Sequence, residues 1–182
     1  MSQYDEKTIL QQLQDDSTRA AAFTMMVDQY KEQLYWQIRR IVLVHDDADD
    51  ILQNTFIKAW MGLDSFRNES KISTWLYRIA TNETLNFLER QRRNTVNLED
   101  QEITLANTLQ SDPYFDGDET QIQLQKAIES LPAKQRQVFT LKYYQEMKYE
   151  EMSEILGTSV GALKASYHHA VKKITDFFSS ND

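Results

Sequence analysis

Apolar residues recur at three- and four-residue intervals through most of this chain, in blocks separated by short polar breaks. Ile9, Leu10 and Leu13 form a brief block that ends at Asp15-Asp16-Ser17. Phe23, Met26, Val27, Tyr30, Leu34, Ile38, Ile41 and Val42 follow, a spacing that predicts one long amphipathic helix over 18–44. His45-Asp46-Asp47 breaks the pattern, and Ile51, Leu52, Phe56, Ala59 and Trp60 start another stripe over 47–60. A polar loop, Arg67–Ser73, then feeds a helix from Trp75 to Arg93, with Thr74 as its expected N-cap. In the second half, Ile122, Leu124, Ala127, Ile128 and Leu131 mark a helix stopped by Pro132. Val138, Phe139 and Leu141 mark the next. Tyr149–Leu156, then Gly157 and a helix from Val160, form a helix-turn-helix pattern in which Gly157 supplies a positive φ. Its expected core face comprises Met152, Ile155, Leu156, Val160, Leu163, Tyr167, Val171 and Ile174. With four glycines and two prolines in 182 residues, little interrupts these helices, so an all-α fold is expected.

Periodicity fades between the two halves. Polar residues dominate 94–120, and Asp112-Pro113 and Asp116-Gly117-Asp118 act as breakers. Two small helical domains are therefore expected, 1–93 and 121–182, joined by a flexible acidic linker over 94–120. Charge sharpens this division. The net charge is −8, yet residues 94–125 hold seven acids (Glu99, Asp100, Glu102, Asp112, Asp116, Asp118, Glu119) and no Lys or Arg. The helical halves are close to neutral, so the overall acidity does not exclude nucleic acid as a partner. The absence of cysteine excludes a disulfide framework and any thiolate chemistry. No secretory signal and no membrane-spanning apolar run is evident, and a soluble cytoplasmic protein is expected.

Candidate chemistry concentrates in three places. The loop Arg67–Ser73 mixes cations, an amide, hydroxyls and Glu69, with Trp75, Tyr77 and Arg78 at its helical end and Arg90, Arg92 and Arg93 beyond. Aromatics and arginines around a polar loop suit splayed single-stranded bases; the same pattern also fits an amphipathic core helix with a solvated end. In 47–60 the acids lie at a helix start, where the helix dipole favours them. No His, Ser or Lys constellation accompanies them, so acid–base catalysis is not indicated. Asp50, Gln53, Asn54 and Ile57 fall off the apolar stripe and form a possible docking face. In the last helix, Gly161, Lys164, Ala165, His168, His169 and Lys172 lie off the core face, as in a recognition helix entering a major groove or in a solvated charged face. His168 and His169 are adjacent and lack the same-face spacing of helical metal ligands. A capping or solvated role is expected for His45. No catalytic residue, metal site or cofactor is expected.

Taken in order, these stretches resemble the extracytoplasmic-function (ECF) class of bacterial RNA polymerase sigma factors. Asp47–Trp60 resembles its region 2.2. Phe66-Arg67-Asn68-Glu69-Ser70 with Thr74–Asn82 resembles regions 2.3 and 2.4. Leu131–Arg136, Tyr149–Met152 and Val160–Lys164 resemble region 4. The resemblance implies an initiation subunit that is not itself an enzyme. It would bind core RNA polymerase, recognise −10 and −35 promoter elements and help open the duplex. By the same resemblance, Asp50, Gln53, Asn54 and Ile57 would meet the clamp helices of the largest polymerase subunit. Phe66, Arg67, Asn68, Ser70, Tyr77, Arg78 and Asn82 would capture a flipped −10 base. Lys164, Ala165, His168, His169 and Lys172 would read the −35 element, and region 4 would also dock on the polymerase flap. An anti-sigma partner is implied, and an acidic connector suited to a basic polymerase channel. Two positions depart from the usual pattern: Asn54 stands where many members carry an acid, and Ser166 and His169 where many carry arginine. The rival expectation is a helix-turn-helix repressor or activator that works without polymerase.

Overall fold

The computed structural model describes residues 4–94 and 118–181, and every regular element among them is helical. The first group comprises α1 (Glu6–Leu13), α2 (Arg19–Val42), α3 (His45–Gly62), a 3-10 turn (Leu63–Ser65) and α4 (Ile72–Asn94). The second comprises α5 (Glu119–Glu129), α6 (Ala133–Tyr143), α7 (Tyr149–Leu156) and α8 (Val160–Asn181).

Local chemistry accounts for several helix ends. The Asp5 carboxylate accepts from the Thr8 amide at 3.3 Å and caps α1. Asp118 does the same for α5, accepting from Gln121 at 3.0 Å, with Glu119 in the first turn. These two acids serve the helix start rather than a connector. The rest of the expected linker, residues 95–117, lies outside the described residues. One helix start departs from the sequence expectation: α4 begins at Ile72, and Thr74 lies inside its first turn, buried. The Ile72 amide donates instead to Glu6 Oε1 of α1 at 2.7 Å, a cap supplied from 66 residues away.

Helices α1–α4 pack around Ile9, Met26, Leu34, Ile38, Ile72 and Leu76, all fully buried. Each such side chain contributes about 1.5–3 kcal/mol through burial. The cluster does not stop at α4. It continues through Val138 and Leu141 of α6, Met152 and Ile155 of α7, and Leu163 of α8. A smaller cluster of Ala127, Ile128, Leu131, Phe139, Ala170 and Ile174 holds the second group together. The apolar face of α7 and the start of α8 is therefore shared with the first group, not spent wholly inside the helix-turn-helix. Val171, expected in the core, is exposed, because the inward stripe of α8 runs through Leu163, Ala170 and Ile174.

Polar contacts lace the two groups. Gln125 donates to the Arg40 carbonyl at 3.0 Å, Arg136 to the Ile41 carbonyl at 2.9 Å, and Gln137 to the Thr81 carbonyl at 3.0 Å. The Arg40 guanidinium lies 4.2 Å from the centre of the Tyr144 ring.

Gly157 ends α7 at φ 62°, its amide donating to the Ser153 carbonyl at 2.9 Å. A Cβ there would meet no atom within 4 Å, so only backbone strain opposes a side chain. Gly157→Ala is expected to destabilise the fold by about 1 kcal/mol, seen as a lower urea midpoint at unchanged slope. A loss several times larger would mean that the turn needs glycine for another reason.

Candidate nucleic-acid interface

The outer face of α3 is open. Asp50, Gln53 and Asn54 are exposed, and Ile57, Trp60 and Met61 expose 56%, 44% and 76% of their surface. Met61 lies one turn beyond Ile57 and extends the expected docking face. Trp60 is anchored edge-on against Phe23, 5.0 Å between ring centres. At the helix start, burial and then the neighbouring Asp50 and Asp46 charges push the Asp47 carboxyl up from its ordinary range. His45 is held locally, its Nδ1 2.7 Å from the Tyr35 hydroxyl and its Nε2 3.3 Å from Asp49.

Between α3 and α4 runs a groove of about 560 Å³, lined by Lys58, Trp75, Ile79, Asn82, Glu83 and Asn86, among others. This size suits a small ligand or a single base. Phe66 stacks on Trp75 at 4.6 Å and braces the groove wall. Lys58 pairs with Glu83, whose carboxylate is almost buried, and Glu89 adds a further carboxylate to the lining. The groove continues into a second cavity of about 520 Å³ reaching Asn54, Arg90 and Arg93. Of the loop residues, Arg67 and Asn68 are exposed and Ser70 is half-buried. Asn68 takes φ 56°, a left-handed conformation that Asn tolerates better than most residues.

The expected −10 residues do not share one face. Tyr77 and Asn82 are five residues apart on α4, about 140° around its axis. Asn82 is exposed in the groove, whereas Tyr77 is 5% exposed beneath the second helical group. The Tyr77 hydroxyl donates to Gln145 Oε1 at 3.3 Å, and burial pushes its ionisation up to about 12 against the opposing pull of the Arg40 charge. Arg78 reaches the same neighbour group, donating from Nε and Nη2 to the Glu154 carbonyl at 3.2 and 2.9 Å. Sequence reasoning placed Trp75 near the loop but did not count it as a site residue, and it missed Lys58 and Asn86. Four-residue spacing from Asn54 and Asn82 was the available signal for the last two.

On α8, Lys164, Ala165, His168, His169 and Lys172 are all exposed along one side. Ser159 Oγ accepts from the Ala162 amide at 3.3 Å at the helix start. The Lys164 ammonium lies 5.7 Å from the centre of the Tyr149 ring, which anchors α7 to α8. Among the described residues, no group of three or more His, Asp or Glu could hold a metal, and no helix is long and apolar enough to cross a membrane.

Residues 26–94 match the family Sigma-70 region 2, and residues 121–174 match Sigma-70, region 4. These two segments, in this order, define a sigma-70-type transcription initiation factor. The ECF RNA polymerase sigma factor SigW of Bacillus subtilis is 35% identical over 156 residues, 81% of this chain and 83% of the relative. The ECF RNA polymerase sigma-E factor of Escherichia coli is 30% identical over 181 residues, 94% and 93% of the two chains. The chain belongs to the ECF family of sigma factors. Its fold is similar to that of CnrH, solved in complex with the cytosolic domain of CnrY (TM-score 0.70, 22% identity, 97% of this chain and 99% of that one). It is also similar to the sigma factor RpoE of Bartonella quintana, solved with the anti-sigma factor NepR (TM-score 0.67, 22% identity, 88% and 98%).

Proposed function

We propose that this chain recruits core RNA polymerase to promoters and supplies the contacts that open them, without catalysing a reaction itself. Residues 1–93 act as the polymerase-binding and −10 unit, and 121–182 as the −35 unit. The observation that carries this reading is adjacency. The exposed Asp50–Met61 face of α3 borders the α3–α4 groove, and Asn54 and Lys58 line that groove or its extension. A polymerase element docked on α3 would then lie beside a base held against Trp75, Asn82 and Asn86. Phe66 braces that pocket, and Arg67, Asn68 and Ser70 form its rim. Asp50, Gln53, Asn54 and Ile57 make the clamp contact, with the protruding Met61 added to it. Lys164, Ala165, His168, His169 and Lys172 face duplex DNA at the −35 element, where histidines add little phosphate neutralisation while uncharged. The site of action is the cytoplasm, where polymerase and chromosome meet. An anti-sigma protein is an expected further partner.

The test combines core polymerase, this chain and a fragmented bacterial genome, and sequences the transcript starts. Core plus chain should initiate at a defined set of sites, and neither alone should do so. Tight selective footprinting by the free chain, without binding to core, would favour a polymerase-independent regulator instead.

Within region 4, Lys164→Ala should weaken duplex binding and reduce the salt slope by about one phosphate contact. Binding of the whole chain to a −35 duplex at several salt concentrations measures this; an unchanged slope removes Lys164 from the interface.

A further inference from the structure

Both ends of the base-reading loop, residues 66–71, are held by side chains from the start of the chain. At the far end, the Ile72 amide donates to Glu6 Oε1 of α1 at 2.7 Å. At the near end, Asp64 of the 3-10 turn pairs with Arg19 at 3.1 Å. Arg19 is itself fixed. Its Nε donates to the carbonyl of Leu13, where α1 ends, at 3.0 Å, and its Nη2 lies 3.3 Å from Asp16. The turn between α1 and α2 is tied as well, the Thr18 hydroxyl donating to the Gln12 carbonyl at 2.8 Å. Ile9 and Leu13 seat α1 in the same apolar cluster as Ile72. Glu6 and Arg19 both precede residues 26–94, the segment that matches region 2.

We propose that Glu6 and Arg19 form a clasp on this loop and are positioning residues for capture of the −10 base. The inference rests on the sigma-factor reading and deepens it by naming what sets the loop. The first amides of a helix lack partners within it, and the helix dipole favours an anion beside them. The Glu6 carboxylate meets both needs at Ile72, so it sets the residue at which the loop ends and α4 begins. Three residues on, Trp75 stacks on Phe66, where the loop starts, at 4.6 Å. A frayed first turn would therefore move Trp75 and Phe66 together. Trp75 also lines the groove that holds Asn82, so the pocket would move with them. Between its two holds the loop passes through Asn68 in a left-handed conformation, with Arg67 and Asn68 exposed. Asp64 is mostly exposed, so its pair with Arg19 adds little to stability. Its effect is on where the near end of the loop sits. A cap of this kind would stabilise any helix; here it also fixes a reading surface, where small misplacements cost more in discrimination than in folding.

The test uses the full chain with core polymerase, on a promoter where the parent initiates. Four templates differ only at the −10 base to which the parent is most sensitive, and open complexes are read by permanganate. Glu6→Ala should lower opening on the best template by about fivefold, the size of a lost helix cap. It should also narrow the ratio between best and worst base by about threefold or more. Glu6→Gln keeps an acceptor oxygen and should return both readings to within about twofold of the parent. Arg19→Ala should narrow the base ratio in the same direction, by about twofold. Affinity for core and for a −35 duplex should stay within about twofold in every variant, since those surfaces lie elsewhere. The clasp is overturned if Glu6→Ala lowers the urea midpoint yet keeps the parent's base ratio, because Glu6 would then support the fold alone. It is overturned equally if Glu6→Gln is as impaired as Glu6→Ala, or if affinity for core falls in step with opening. Should Glu6→Ala fail to fold, Arg19→Ala decides, and an unchanged base ratio there sinks the idea. If the parent itself initiates nowhere with core, the sigma-factor reading fails and the clasp with it.

Discussion

Asn82→Ala is expected to impair open-complex formation by roughly 1–3 kcal/mol while leaving affinity for core polymerase nearly unchanged. Asn82 is exposed in the α3–α4 groove, between the Trp75–Phe66 stack and Asn86. An extruded base costs a few kcal/mol to unstack, so its pocket must return that through stacking and edge hydrogen bonds. The carboxamide offers both a donor and an acceptor, and alanine offers neither. Because Asn82 is exposed, the substitution leaves no buried group unpaired, and folding should hold. Permanganate reactivity of the melted strand and core binding are measured side by side. Equal losses in both would show that Asn82 supports the fold or the polymerase contact rather than a base.

Tyr77→Phe is expected to flatten the alkaline limb of the stability curve by about 2–3 kcal/mol. Burial pushes the Tyr77 phenol from 10.0 up to about 12 in the folded chain. Below pH 10 the phenol is neutral in both folded and unfolded chains, and its stabilising share is fully present. Between pH 10 and 12 the unfolded phenol ionises first, so stability falls as pH rises through that window. Phenylalanine has no proton to lose and removes this part of the slope. Burial raises Tyr30, Tyr144 and Tyr167 as well, so some alkaline loss remains. At neutral pH the variant forgoes only the bond to Gln145, about 1 kcal/mol. Urea midpoints near pH 8 and pH 11 for both chains check the difference, of which about half, roughly 1.4 kcal/mol, has developed by pH 11. Parallel limbs would show that Tyr77 is not held in a buried contact in solution.

Periodicity along the chain determined the helices, the break at Pro132, the turn at Gly157 and the outward placement of Gln53, Asn54, Lys164 and His168. Each of these depends on residues three or four apart, or on one backbone conformation, and such relations survive in the sequence itself. Motif order carried the resemblance to sigma factors for the same reason. Which side of α4 is covered is not local information. Their five-residue spacing already meant that Tyr77 and Asn82 need not share a face, but only the seating of α6 and α7 decided which was buried and which was left in a groove. The cap that Glu6 gives Ile72, and the bond from Gln137 to Thr81, join residues 66 and 56 positions apart. The apolar stripe of α7 likewise predicts that it must be buried, without naming what buries it. Side chains of one type satisfy the hydrophobic effect against any apolar partner, because that force has no direction. Polar pairing does have direction, and the tertiary arrangement decided which donors and acceptors came within reach.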